Sequence, residues 1–223
     1  MPPPLLEWPG IRTVLLDMDG TLLDRHFDDH FFLHTVPEAY AKVHGLSQHH
    51  ARQEVLAAYH RVEGTLAWYD LDHWSRTLAL DIPALKREVA HLISPRPHAL
   101  EFMDLVKRSG RRACLVTNAH PRSLALKLER TPIGRHLDAI LTSHQVGHAK
   151  EDRRFWEAAR RLLGFDPGDS LLADDSEPIL VTAAAWGIGH LLHIAHPSSA
   201  LPPVFSQRFV SVADFRPVLP IPF

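Results

Sequence analysis

Four short apolar runs punctuate the chain, and each hands over at once to polar or acidic residues. They are Val14-Leu15-Leu16 before Asp17, Ala113-Cys114-Leu115-Val116 before Thr117, Ala139-Ile140-Leu141 before Thr142, and Leu171-Leu172-Ala173 before Asp174. Runs of this length without alternation read as strands buried on both faces, which is the pattern of a parallel sheet. A fifth run, Leu191-Leu192-His193-Ile194, reads the same way despite its histidine. Between the later runs, helical spacing recurs over residues 99–109, 123–130, 153–163 and 179–186, with turn residues Gly110, Pro121, Gly164 and Gly187 near their borders. Strand alternating with helix predicts an α/β fold with a doubly wound parallel sheet.

Residues 25–97 break that rhythm. No strand-like run occurs there, and Phe31, Val36, Tyr40 and Val43 recur at helical spacing, so an all-helical insertion is expected after the first strand. It holds all three tyrosines (Tyr40, Tyr59, Tyr69) and the pair Trp68 and Trp74, far more than a plain crossover helix requires. Ser94-Pro95-Arg96-Pro97 reads as the returning hinge. The expected division is an α/β core of residues 1–24 plus 97–223 with a helical cap of residues 25–96. The proline-rich tail, 217–223, is expected to run over the surface.

Composition narrows the partners. Across 223 residues, 24 Lys plus Arg face 26 Asp plus Glu, a net charge of −2 that lacks the basic excess of a nucleic-acid binder. No segment approaches the ~20 apolar residues of a membrane span, and the first ten residues lack the basic and apolar regions of a secretion signal. The single cysteine, Cys114, forms no internal disulfide, so a cytoplasmic location is expected. The seventeen histidines are scattered, and His26, His30 and His34, beside Asp28 and Asp29, read as a solvated helix face rather than a zinc site.

The chemistry concentrates at the strand ends. The first strand gives Asp17-Met18-Asp19-Gly20-Thr21-Leu22, two carboxylates two residues apart where open α/β sheets place their ligands, with Gly20 allowing a sharp turn. A bare Asp-x-Asp reads more readily as an Asx turn or a helix cap, and the full Asp-x-Asp-Gly-Thr-Leu string reverses that preference. Thr117 and Asn118 offer a hydroxyl, an amide and the N–H groups of a following helix to an anion. Lys150 precedes a helix, unlike Lys42, Lys86, Lys107 and Lys127, and supplies a point cation. Asp174 and Asp175, adjacent on a strand end, are costly without a compensating cation. An oxygen-only donor set indicates a hard ion, Mg²⁺ rather than zinc.

In chain order these strand ends resemble the haloacid dehalogenase superfamily, phosphatase branch, and the helical insertion matches that family's type-one cap. The stretches 13–24, Leu66-Ala-Trp68-Tyr69-Asp-Leu-Asp-His-Trp74-Ser75, 115–121 and Lys127-Leu128-Glu129 look like its bacterial GMP/IMP nucleotidases. The resemblance implies Asp17 as the nucleophile that forms an aspartyl-phosphate and Asp19 as the acid that protonates the leaving oxygen and then activates water. It also implies Thr117 and Asn118 on the phosphoryl oxygens, and Lys150 bridging the phosphoryl group and Asp17. Mg²⁺ would be held by Asp17, the Asp19 carbonyl and Asp175, with Asp174 supporting the ion or its waters. The expected partner is a small phosphorylated metabolite, a nucleoside monophosphate, with Trp68 and Tyr69 facing its base.

Three positions depart from the family pattern, one of them Ile179, which stands where many members carry a further aspartate. The glycine common before the acid pair is replaced by Ala173, leaving open which of Asp174 and Asp175 touches the ion, and Ala149 stands before Lys150 where proline is frequent, which should loosen that loop. Dehalogenation of a small haloacid needs neither Asp19 as an acid nor a metal pair. A sugar phosphomutase differs in passing the phosphoryl group to a sugar hydroxyl. A catalytically silent binding module would have no use for every filled position. No phosphate-binding Gly-x-x-x-x-Gly-Lys-Ser/Thr loop, Gly-x-Gly-x-x-Gly turn or Gly-x-Ser-x-Gly elbow is present.

Overall fold

The computed structural model describes residues 5–219 and 221. Six strands form one sheet in the order β3-β2-β1-β4-β5-β6. They are β1 (Thr13–Leu16), β2 (Arg112–Thr117), β3 (Ala139–Thr142), β4 (Ser170–Asp174), β5 (His190–Ile194) and β6 (Val210–Val212), and every neighbouring pair is parallel. The chain is therefore an α/β, doubly wound parallel sheet.

Side-chain alternation explains why the strands read as continuous apolar runs. Val14, Leu16, Leu115 and Ala173 enter one core with Phe102 and Met103. Leu15, Cys114, Val116 and Leu172 enter the other, with Phe155 and Trp156. Both faces are covered, so neither parity of residue can be polar.

The α-helices between residues 25 and 97 are α1 (His26–His30), which continues through a π-helical turn (Phe31–Thr35) into α2 (Val36–His44), then α3 (Gln48–His60), α4 (Leu66–Tyr69), α5 (Leu71–Leu78) and α6 (Ile82–Glu88). They bury a cluster of their own, with Phe31, Val55, Tyr59, Trp74 and Ile82. The rest of the sheet is wrapped by α7 (Ala99–Arg108), α8 (Pro121–Arg130), α9 (Ser143–Val146), α10 (Arg153–Leu163) and α11 (Glu177–Trp186). None of the helices among the described residues is long and apolar enough to cross a membrane.

The outgoing and returning linkers of the insertion lie side by side. Leu23 pairs antiparallel with Pro95, Asp24 N–H donates to the Ser94 carbonyl at 2.9 Å, and Arg96 N–H donates to the Leu22 carbonyl at 2.8 Å. The neighbouring strands of β1 are in register, Leu16 facing both Leu115 and Ala173, so the residues leaving β1, β2 and β4 emerge together. β1 lies where the strand order reverses, the position at which sheets of this order open a crevice for ligands.

Two expectations are corrected. The edge strand β6 was not foreseen: it is three residues long, and Val210 is exposed, so it carries little apolar signal. The tail does not all run over the surface, because Val218 and Ile221 are buried in the core with Phe215; Pro220, Pro222 and Phe223 lie outside the described residues.

Gly20 adopts φ +87°, and a Cβ there would come within 2.5 Å of Asp175 Oδ2 and 2.9 Å of Pro197 Cβ. Gly20→Ala is expected to cost at least about 1 kcal/mol of stability through the left-handed backbone alone. It should also displace the Asp175 carboxylate and lower activity. Urea unfolding together with turnover measures both, and a variant of unchanged stability and rate contradicts the packing described.

Candidate active site

The crevice at the carboxyl ends of β1, β2 and β4 opens into a cavity of about 410 Å³ roofed by the insertion. Asp17, Asp19, Thr117, Asn118, Lys150, Asp174 and Asp175 all line it, as do Trp68 and Tyr69 from α4. All nine residues singled out in the sequence therefore converge on one space.

Lys150 is the centre of this arrangement. Its buried ammonium donates to Asp17 Oδ1 at 2.6 Å and to Asp174 Oδ2 at 2.8 Å. Burial disfavours the ammonium, yet the two carboxylates more than offset this and raise its pKa. Burial lifts the Asp17 carboxyl to about 6 even against Lys150. Asp175 is pushed well above the usual carboxylate range by burial and then by Asp17 and Asp174, with Arg25 donating to its Oδ2 at 2.8 Å. The Lys150 loop is not loosened by Ala149. Lys150 N–H donates to Asn118 Oδ1 at 2.9 Å, and the Trp156 indole donates to the Lys150 carbonyl at 2.8 Å.

The donor set fits a hard divalent cation. Asp17, Asp174 and Asp175 present oxygens within 4.8 Å of one another, and Asp17 Oδ2 is buried without a hydrogen-bond partner. Both Asp174 oxygens are engaged, one by Lys150 and the other by Ser176 N–H at 2.9 Å, so Asp17 and Asp175 keep the freer oxygens. Crowded carboxylates of raised proton affinity are what an unneutralised cation site produces.

Asn118 is fixed in orientation. Its Oδ1 accepts from Lys150 N–H, and its Nδ2 donates to Glu151 Oε2 at 2.9 Å and lies within reach of the Tyr69 hydroxyl oxygen. The Thr117 hydroxyl oxygen accepts from Ala119 N–H at 3.0 Å, so its proton is available. The expected contribution of helix N–H groups is smaller than the sequence implied: Ala119 N–H is taken by Thr117, and Arg122 N–H is taken by His120 Nδ1, which caps α8.

The aromatic pair divides its work. The Tyr69 hydroxyl donates to Glu151 Oε1 at 2.7 Å, tying the insertion to the core through the same carboxylate that orients Asn118. The Trp68 carbonyl accepts from the buried Trp74 indole at 2.8 Å, and the Trp68 ring stands edge-on to Tyr59 while lining the cavity.

Sequence reasoning missed several residues. Arg25, Glu151, Asp28, Lys86 and Lys127 all belong to the site. Asp28, read as part of a solvated face, instead accepts from Lys86 and Lys127 at 2.6 Å each. Burial alone would raise its pKa, but the two lysines hold it well below the usual carboxylate range. Lys127 follows Ser123 and Leu124 by four and three residues on the inward face of α8, and that position was the available signal. His120 approaches Asp70 at 3.6 Å and sits edge-on to His144. Burial lowers the His120 pKa, and Arg122 N–H points at its Nδ1, so the neutral ring carries its proton on Nε2, facing Asp70. That tautomer points an N–H, not a lone pair, toward Asp70 across the 3.6 Å gap.

Residues 11–187 match the haloacid dehalogenase-like hydrolases, and the chain belongs to that family. It is an enzyme of the hydrolase class. It is 41% identical over 215 residues to the GMP/IMP nucleotidase YrfG of Escherichia coli, covering 96% of this chain and 97% of that protein. Among solved structures, the fold resembles a HAD phosphatase from Thermococcus onnurineus (TM-score 0.77, 20% identity, 92% of this chain and 94% of that one). It also resembles a putative beta-phosphoglucomutase from Thermotoga maritima (TM-score 0.65, 18% identity, 93% and 95%).

Tyr69→Phe removes one hydrogen bond to a carboxylate and is expected to cost about 1–3 kcal/mol. Glu151→Ala, which frees both Tyr69 and Asn118, should cost more and also raise KM. Paired denaturation and kinetic measurements check the order, and a Glu151→Ala enzyme of wild-type KM contradicts the orienting role.

Proposed function

We propose that the protein is a Mg²⁺-dependent phosphomonoester hydrolase acting through an aspartyl-phosphate, with purine nucleoside 5′-monophosphates as substrates. The observation that carries the chemistry is the buried Asp17, held by Lys150 on one oxygen and unpartnered on the other. The likeness to a GMP/IMP nucleotidase over nearly the whole chain supports the substrate class.

Asp17 attacks phosphorus in line while the ester P–O bond breaks, and Asp19 gives its proton to the departing 5′-oxygen. Asp19 then takes a proton from water, whose oxygen attacks phosphorus and breaks the bond to Asp17, releasing inorganic phosphate. Burial raises the Asp19 carboxyl to about 6, which suits a group that must hold and then accept a proton near neutrality. Thr117, the Asn118 amide and Lys150 bind the phosphoryl oxygens. Mg²⁺ held by Asp17, the Asp19 carbonyl and Asp175 would neutralise the phosphoryl charge. Asp174 has both oxygens engaged and serves to hold Lys150.

Residues 25–96 act as a cap over the leaving group. Trp68 offers a flat face to the base, whereas the Tyr69 hydroxyl is already bound to Glu151, so we assign the stacking to Trp68 and a framing role to Tyr69. Dehalogenation has no need of Asp19 or of the Asp174–Asp175 pair.

Asp17→Asn should leave the fold intact and lower turnover on the order of 10³-fold or more. A folded variant with most of its activity sinks the assignment. Phosphate release from a panel of nucleotides and sugar phosphates should favour GMP and IMP over pyrimidine nucleotides and vanish on chelation. Equal kcat/KM across the panel removes the nucleotidase reading, and activity that survives exhaustive chelation removes the metal.

A further inference from the structure

A second set of buried charges stands beside the Asp17 cluster, and the reaction described above leaves it without a task. The Lys127 ammonium, from α8 of the core, is 1% exposed and donates to Asp19 Oδ1 and Asp28 Oδ2 at 2.6 Å each. Asp28, on α1 of the insertion, accepts on its other oxygen from Lys86 of α6, and Lys86 reaches back to Ser123 Oγ of α8 at 3.3 Å. The chain of contacts is thus Asp19, Lys127, Asp28, Lys86, Ser123, and it crosses between core and insertion at Lys127–Asp28 and again at Lys86–Ser123. The Phe27 ring lies under both ammoniums, 5.3 Å from Lys127 and 4.8 Å from Lys86.

Two lysines balance two aspartates, so the set would be electrically closed without serving any reaction. Its geometry says more. Asp19 leaves β1 on a turn, and a carboxylate on a turn has two rotatable bonds by which to swing away from the leaving oxygen. Lys127 removes that freedom on Oδ1 only. Asp19 Oδ2 takes no hydrogen bond among the described residues, and Asp19 lines the cavity with 24% of its side chain still accessible. One oxygen is clamped and the other is left for a proton.

We propose that Lys127 is a positioning residue for Asp19, and that Asp28 and Lys86 make its placement depend on the seating of the helical insertion. This rests on the acid/base role of Asp19 given above. Lys127 is aimed by Asp19 and Asp28 together, and Asp28 stands at that point only while the insertion is in place. Withdrawal of the insertion leaves Lys127 with Asp19 as its sole carboxylate partner, and the aim of Oδ2 is then no longer set from two sides. The catalytic proton is thereby delivered only while the insertion is seated over the leaving group.

The test separates positioning from folding by leaving-group dependence. kcat/KM reports only steps through departure of the leaving group. An alkoxide such as the nucleoside 5′-oxygen needs the Asp19 proton, and 4-nitrophenolate does not. Asp19→Asn fixes the reference pattern. The charge-balanced double variant Lys127→Met/Asp28→Asn keeps the cluster neutral and guards against misfolding of Lys127→Met alone, with thermal unfolding as the check. The double variant should lose on the order of 10²-fold in kcat/KM for GMP while losing less than about tenfold for 4-nitrophenyl phosphate. Lys127→Arg, which keeps a donor, should recover part of the GMP rate. Equal losses on the two substrates, or no loss on either, overturn the positioning role while Asp19→Asn remains selective. If Asp19→Asn is itself unselective, the acid/base reading fails, and the role of Lys127 falls with it.

Discussion

A buried ammonium between two buried carboxylates is stable only while all three keep their partners, and Lys150 between Asp17 and Asp174 meets that condition. Breaking a buried pair by removing one partner typically costs about 3–5 kcal/mol, so the trio cannot rearrange piecemeal. The surrounding structure follows from keeping Lys150 still. Its N–H is held by Asn118 and its carbonyl by Trp156, and Asn118 is held in turn by Glu151, which also receives the Tyr69 hydroxyl. A single line of hydrogen bonds therefore runs from the sheet to the roof of the cavity, and the Asn118 amide lies in the middle of it.

Lys150 and Lys127 do different electrostatic work. Asp17, Asp174 and Asp175 meet only Lys150 and Arg25 among the described residues, which leaves that triad one carboxylate in excess. The remaining negative potential is what a divalent ion answers. Lys127 instead meets Asp19 and Asp28 while Lys86 shares Asp28, so that set is balanced within itself. An unbalanced cluster binds, and a balanced one holds shape.

The sheet was legible because both of its faces are covered, which forces consecutive residues of a strand to be apolar and makes the polar residue at each carboxyl end conspicuous. That contrast located Asp17, Thr117 and Asp174, and with them the site. The edge strand Val210–Val212 has too few residues and too little burial to produce such a run. Lys86, Lys127 and Asp28 were misread for another reason. A lysine in a helix or an aspartate beside histidines is ordinarily solvated, and what reverses this is a partner far along the chain, 99 residues for Lys127–Asp28 and 108 for Lys127–Asp19. Propensity and spacing carry no information about pairings at that separation. Arg25 and Asp175, 150 residues apart, escaped notice in the same way. The helix-start anion cradle was over-read because side chains of the loop itself, Thr117 and His120, compete for its N–H groups.

The pairing of Leu23 with Pro95 has a consequence for how such a chain can diversify. Because the insertion departs and returns through one antiparallel contact, the sheet sees it as a single closed loop, whatever its length or sequence. The register of β1 against β2 and β4 is fixed below that contact, and the groups that shape the leaving-group pocket lie above it. Lengthening or replacement of the helices therefore leaves the register of the sheet undisturbed, provided the ends still meet at the same rung, whereas Asp28, Lys86 and Tyr69 must keep their partners Lys127, Ser123 and Glu151 on the core. The backbone joint tolerates change, and the three side-chain crossings are where variation in the insertion is felt at the sheet.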